Sequence, residues 1–219
     1  MIELVKGLFL VVSALFPIVN PLGTSPIFLS LTGAYQPAER QTLARKISLN
    51  SFFLMVGSYL IGTHILAFFG ISLPVVQVGG GLIVISTGWG LLQRSDDQER
   101  NTVRQSLRPG EASEKAFYPL TLPLTVGPGS LSVAITLGAN APHHSRVELL
   151  GVVGAILGAF AIAFSIYICY GFADRLARIL GPTAMGVIMR LSSFLLVCIG
   201  VQIVWNGLRS LLQELSTLR

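Results

Sequence analysis

The sequence predicts an all-α, polytopic membrane protein of about six transmembrane helices, laid out as two inverted three-helix repeats whose first helices are broken. Three observations carry that prediction. Charged residues make up only 11% of the 219, against 52% hydrophobic, and mean hydropathy is +0.72; a soluble domain carries about 25% charged residues to cover its surface. No Asp, Glu, Lys or Arg occurs from Ile47 to Gln93, and a helix needs about 20 apolar residues to cross the hydrocarbon core. Three prolines of the first half recur in register in the second.

Six apolar segments follow one another, over residues 4–33, 45–69, 72–93, 117–139, 147–172 and 187–208. Each is expected to be helical, because a helix satisfies its own backbone polar groups where lipid cannot. The first begins almost at once, behind a weak charged start (Glu3, Lys6) and with no small-residue cleavage site, so it reads as a span and not a cleaved signal. Gly79-Gly80-Gly81 and Gly151, Gly154 and Gly158 are expected to let helix backbones approach closely. Gln77 and Gln202 read as polar glue between helices, and Trp89 and Trp205 as interfacial anchors. His64 reads as a hydrogen-bonded group near the outer interface, with proton relay as the sharper alternative. Residues 94–116 hold Arg94, Arg100, Arg104, Arg108 and Lys115 with five acids and no apolar pattern. They form a cytoplasmic linker between a first repeat, 1–93, and a second, 117–219.

The repeat rests on Pro17, Pro21 and Pro26, which reappear as Pro119, Pro123 and Pro128, each displaced by 102. Gly81–Gly88 of the third segment also resembles Ser193–Gly200 of the sixth. An odd number of spans per unit forces the second copy to insert upside down. With six spans, eleven of the fifteen Lys and Arg residues fall in inside segments and four outside, the bias that sets orientation. Both termini then lie outside. A rival topology makes the first and fourth segments re-entrant hairpins, with four spans and both termini inside. It would crowd Arg175, Arg178 and Arg190 into one short outside loop, and the 23 residues of 117–139 match a single crossing.

Proline removes one helical hydrogen bond and clashes with the carbonyl four residues back. Three prolines and a glycine within ten residues therefore predict an interruption at Pro17–Pro26 and again at Pro119–Gly129. Non-helical backbone at membrane depth survives only if buried in protein or lining a wet cavity. The second half of a broken helix starts with free N–H groups and a partial positive charge, which suits a carboxylate. The expected site joins Asn20, Pro21, Gly23, Thr24, Ser25 and Pro26 to Thr121, Pro123, Thr125, Gly127, Pro128, Gly129 and Ser130. Its side chains are uncharged donors and acceptors, fitted to a small neutral or zwitterionic solute. The competing expectation is purely structural, with Asn20 and the hydroxyls capping helix ends.

Other function classes lose their footing. The net charge of +5 and pI near 9.6 do not indicate nucleic acid, because the basic residues sit in short segments between apolar runs. There is no embedded carboxylate pair, no H-E-x-x-H and no phosphate-binding motif, so no enzyme is expected. No cofactor or metal is expected either: Cys169 and Cys198 lie in apolar runs, and His143-His144 stands without further ligands.

The stretch Asn20-Pro21-Leu22-Gly23-Thr24-Ser25-Pro26-Ile27-Phe28 resembles the N-P-x-G-x-x-P-x-F signature of the MarC family of bacterial inner-membrane proteins. Pro119-Leu120 through Pro123-Leu124-Thr125-Val126-Gly127-Pro128-Gly129 is similar to its second element, and Phe69–Ser72 and Gly80–Val84 match its pattern. The resemblance covers the whole chain. It implies a multi-pass protein of the inner membrane, with both termini periplasmic in the six-span layout, and a secondary transporter or exporter of small neutral solutes such as amino acids. A passive channel or a non-transporting membrane partner protein is the alternative. The implied partners are the lipid bilayer, a small neutral solute and, for so thin a bundle, a second copy in a homodimer. This chain departs from the family at Gln77, where many relatives carry Arg, and at Ser192-Ser193, where many read Met-Gly.

Overall fold

A computed structural model describes residues 2–33, 35–93, 116–141 and 146–217, and these described residues form eight helical elements. The linker expected over 94–116 (Ala116 excepted) and the His143-His144 pair lie outside the described residues. The elements are α1 (Ile2–Val19), α2 (Pro21–Leu31), α3 (Pro37–Phe68), α4 (Leu73–Leu92), α5 (Ala116–Thr125), α6 (Pro128–Ala139), α7 (Arg146–Gly171) and α8 (Ala173–Thr217). No strand occurs among the described residues. Among the described residues five helices are long and apolar enough to cross a membrane, α1 and α2 counting as one, and the bent pair α5–α6 makes a sixth if it is one span.

Most boundaries fall within one or two residues of the apolar segments, and the two large differences have physical causes. α3 starts at Pro37, eight residues before its apolar run, because Gln36 and Glu39 form a capping box and Pro37 occupies the first turn. At 32 residues α3 is about 48 Å long, so its first turns project beyond a hydrocarbon core of roughly 30 Å. α8 starts at Ala173 with Asp174 in its first turn and runs to Thr217, interrupted at Gly181, whose φ of 75° only glycine adopts readily.

Contacts fix the direction of every crossing. Gly7 meets Gly151, and Leu8 and Val11 meet Gly158, so α1 runs parallel to α7. Thr24 of α2 then reaches Tyr170. From Gly151 to Tyr170 is about 28 Å along a helix, so α1–α2 traverses the bundle and does not turn back. Likewise α5–α6 advances along α3, from Thr121 beside Asn50 to Gly138 beside Tyr59. α3 and α7 are antiparallel: Ser48 Oγ donates to Ala163 O at 2.6 Å, while Arg40, near the start of α3, pairs at 2.6 Å with Asp174 of α8, just past the end of α7. α4 and α8 are antiparallel too, through Gly81 against Gly200 and Gly88 against Ser193. The Arg40–Asp174 pair excludes the hairpin topology, which would set the starts of α3 and α8 on opposite sides of the bilayer.

Packing runs almost wholly between the two halves. α1 lies on α7, α3 on α6 and α7, α4 on α6 and α8, and α2 on α8; within a half only α7 and α8 touch appreciably. Lipid gives no hydrophobic drive for helix association, so close backbone approach has to supply the contact energy. The expected glycines do this at Gly80, Gly81, Gly154 and Gly158, where an added Cβ would strike the facing helix, while Gly79 and Gly151 leave open space of their own. Gly62, Gly138, Gly200 and Gly207 act in the same way.

Cysteines placed at Ser72 and Ser216, in a background without Cys169 and Cys198, are expected to react with an impermeant thiol reagent from one side of the membrane, and a cysteine at Gln93 from the other. Labelling of the Ser72 and Ser216 positions from opposite sides would instead support hairpins. A Gly81→Ile change forces a side chain against Gly200 O and Val204 and is expected to cost about 1–3 kcal/mol, read as lowered thermal stability in detergent.

Candidate functional site

The two breaks are built differently. In the first, Pro17 and Pro26 are absorbed inside α1 and α2, and the interruption falls on one residue, Asn20, held left-handed at φ 47°, ψ 59°. Asparagine tolerates that conformation better than most side chains. Its side-chain oxygen accepts from Gly23 N at 3.2 Å, and Pro21 fills the first helical position, where no N–H is needed. Gly23 is obligatory here, because a Cβ would collide with the Asn20 amide.

In the second, Tyr118 and Leu122 each precede a proline and take extended backbone angles, as the residue before proline prefers. α5 is therefore a wide, irregular turn of helix, and the chain bends by 71° into α6. Gly127 caps α6 with no side-chain bond, Pro128 follows, and the first-turn N–H groups of Gly129 and Ser130 have no acceptor among the described residues. Such an end carries a partial positive charge.

Tyr170 of α7 joins the breaks. It is 1% exposed and stacks on Phe28 of α2, with ring centroids 4.5 Å apart and planes 11° from parallel. Its hydroxyl donates to Thr24 Oγ1 at 2.9 Å and lies 3.0 Å from Thr125 Oγ1. Thr24 donates onward to Asn20 O at 2.9 Å, and Thr125 to Leu120 O at 2.7 Å. Three hydroxyl protons thus serve four short contacts, so one proton, that of Tyr170 or of Thr125, is shared between two acceptors. Sequence reasoning did not single out Tyr170; the available signal was a tyrosine inside an apolar run, whose hydroxyl must find a partner when buried.

Beside this bridge lies a cavity of about 350 Å³, lined by the end of α1, by α2, α4, the second break and Leu196 of α8. Of the expected residues it brings together Thr24, Pro123, Thr125, Gly127, Pro128, Gly129 and Ser130. Asn20, Pro21, Gly23, Ser25, Pro26 and Thr121 stand behind it. Asn20, Gly23 and Pro21 shape the first break; Pro26 lies inside α2. Thr121 donates to Ala116 O at 2.7 Å and accepts from Asn50 at 3.4 Å. The hydroxyl of Ser25 is fully buried with no hydrogen bond. Two lining hydroxyls missed by the sequence-based site come from α4, Ser86 and Thr87. Thr87 donates back to Ile83 O at 2.8 Å, while the hydroxyl of Ser130, a residue only 3% exposed, makes no hydrogen bond among the described residues. Among the described residues no charged side chain lines the cavity. His64 lies exposed on the outer face of α3, away from it. Among the described residues no three His, Cys, Asp or Glu side chains converge as metal ligands.

The family model described as "MarC family integral membrane protein" matches residues 5–212 of the chain. The chain is 30% identical over 218 residues to the inner membrane protein MarC of Salmonella typhimurium, covering 97% of this chain and 99% of that one. It is 31% identical over the same length to the inner membrane protein MarC of Escherichia coli K12, with the same coverage. No solved structure matches the chain.

Tyr170→Phe keeps the stack on Phe28 and leaves Thr24 and Thr125 their backbone acceptors, so the expected loss is about 0.5–1.5 kcal/mol. Tyr170→Ala removes the ring as well and is expected to lose about 3–5 kcal/mol. Thermal unfolding in detergent reads both; equal losses would show that the hydroxyl, not the ring, ties the breaks together.

Proposed function

The chain belongs to the MarC family of integral membrane proteins, and we propose that it is a secondary transporter or exporter of small neutral solutes, amino acids foremost, working through the cavity at the helix breaks. It is a multi-pass protein of the inner membrane. The observation that carries the transport reading is the meeting of both breaks at one cavity, with the α6 N-terminus open to it and uncapped.

The free N–H groups of Gly129 and Ser130 suit the carboxylate of a zwitterion. The hydroxyls of Ser86, Thr87 and Ser130 suit its ammonium and polar atoms. The described lining carries uncharged side chains, which suit a solute without net charge in a low dielectric. A cavity of this size lies at the small end of ligand sites.

The inverted repeat belongs to the same reading. Each segment of the second half runs opposite to its counterpart, and exchanging the α1–α2 unit with α5–α6, α3 with α7 and α4 with α8 carries each between-half pairing onto another. Such halves rock against each other around a fixed midplane site. The Tyr170 bridge and the Arg40–Asp174 pair hold the halves together at the end where α3 and α8 begin, with both termini at the opposite, periplasmic end.

Counterflow of labelled glycine, alanine and serine into vesicles holding purified protein tests the proposal. Wild type is expected to accumulate at least one of them, and Gly127→Leu, which places a bulky side chain in the cavity lining, to lose that accumulation. Flux without dependence on counter-substrate would indicate a channel. No flux of any solute from folded protein would indicate a partner protein with purely structural breaks.

A further inference from the structure

A second cavity, about 370 Å³, lies at the other side of Ile18, the residue that lines both. Its position follows from three helices. On α4 the lining passes from Ile83 back to Gln77, on α6 from Ser130 on to Thr136, and on α8 from Leu196 on to Asn206. α4 is antiparallel to both α6 and α8, since Val84 and Gly80 meet Gly129 and Ser132, and Gly81 meets Gly200. All three displacements therefore point to the same end of the bundle, where α1 begins and α8 ends. The cavities are stacked along the bundle axis, about 9 Å apart by the rise of α4.

The lining of this second cavity is mostly apolar, but three carboxamides, Gln77, Gln202 and Asn206, face it. Gln77 reaches Thr136 Oγ1 only at 3.5 Å, and Gln202 donates at 2.9 Å to Asn206 of its own helix, so Gln202 joins no two helices. The side-chain oxygens of Gln77 and Gln202 and the Asn206 amide N–H₂ keep unused hydrogen-bonding capacity. Gln202 and Asn206 are exposed and Gln77 is half-buried, and carboxamides turned to hydrocarbon would lose their hydration with no return. An aqueous or solute-filled space satisfies them.

We propose that this cavity is a second binding site for an uncharged or zwitterionic, hydrogen-bonding solute, and that Ile18 is the partition between two consecutive stations on one path through the bundle. Carboxamides offer donors and acceptors in equal measure and no net charge, so the site matches the ligand chemistry of the first. The identity of the solute rests on the transport reading; the existence of the site does not.

The test uses full-length protein lacking Cys169 and Cys198, in vesicles of known orientation, with a single cysteine at Ile203 for the second cavity or at Ile83 for the first. An impermeant maleimide is expected to label the Ile203 position from the side of the termini and the Ile83 position from the opposite side. Glycine, alanine or serine is expected to slow labelling at Ile203, and Gln77→Leu or Asn206→Leu to weaken that protection by roughly tenfold for each hydrogen bond lost. Unchanged labelling at Ile83 reports that these variants are folded. An Ile203 position inert to the reagent from both sides, or labelled with no protection by any of the three solutes, overturns the inference. Protection without counterflow leaves the second site standing and removes the transport reading; counterflow without protection does the reverse.

Discussion

A bilayer supplies no water to an N–H or carbonyl group freed by a helix break, so an interrupted helix has to be enclosed by protein or wetted by a cavity. This chain interrupts two of its apolar helical segments, and the arrangement of the rest follows from sheltering them. The breaks face each other across Tyr170, whose ring packs on α2 and whose hydroxyl reaches a threonine on each side. α3 and α7, the helices that run along the broken ones, cross each other and close the opposite side through Ser48 and Ala163.

Enclosure of this kind needs the two halves to interlock, and glycine makes the interlocking close. α4 and α8 cross with Gly81 on Gly200, and α1 lies on α7 over Gly154 and Gly158. A side chain at any of these positions would hold the backbones apart, and with no hydrophobic drive in lipid little would replace the lost contact. Neither half has a substantial packed interior of its own. The three-helix unit is thus a unit of sequence, and the bundle is the unit of stability.

The repeated prolines yield unequal ends. Asn20 folds back on Gly23 and spends its side chain on the first helix end. Gly127 has no side chain to spend, so the second end stays open toward the cavity. One break therefore serves as a structural cap, and the other presents unpaired N–H groups beside the hydroxyls of Ser86, Thr87 and Ser130. The structural expectation, a side-chain cap on a helix end, describes the first break.

Much of this was legible in the chain. Apolar length placed the spans to within a residue or two in most cases, because crossing a hydrocarbon core imposes a length that composition cannot hide. Proline spacing located both interruptions, because a missing N–H is a local chemical fact. Local chemistry does not say which groups meet. Tyr170 lies 146 residues from Thr24, and nothing in the run around it distinguishes a bridging tyrosine from an interfacial one. Ser86 and Thr87 joined the cavity, and Ser25 and Thr121 left it, according to how α4 and α3 pack against the breaks. The sequence by itself determined that this protein crosses the membrane and where its helices fail. Tertiary structure alone decided which failed end stays open and what faces it, because side-chain direction at a break depends on the helix packed across from it.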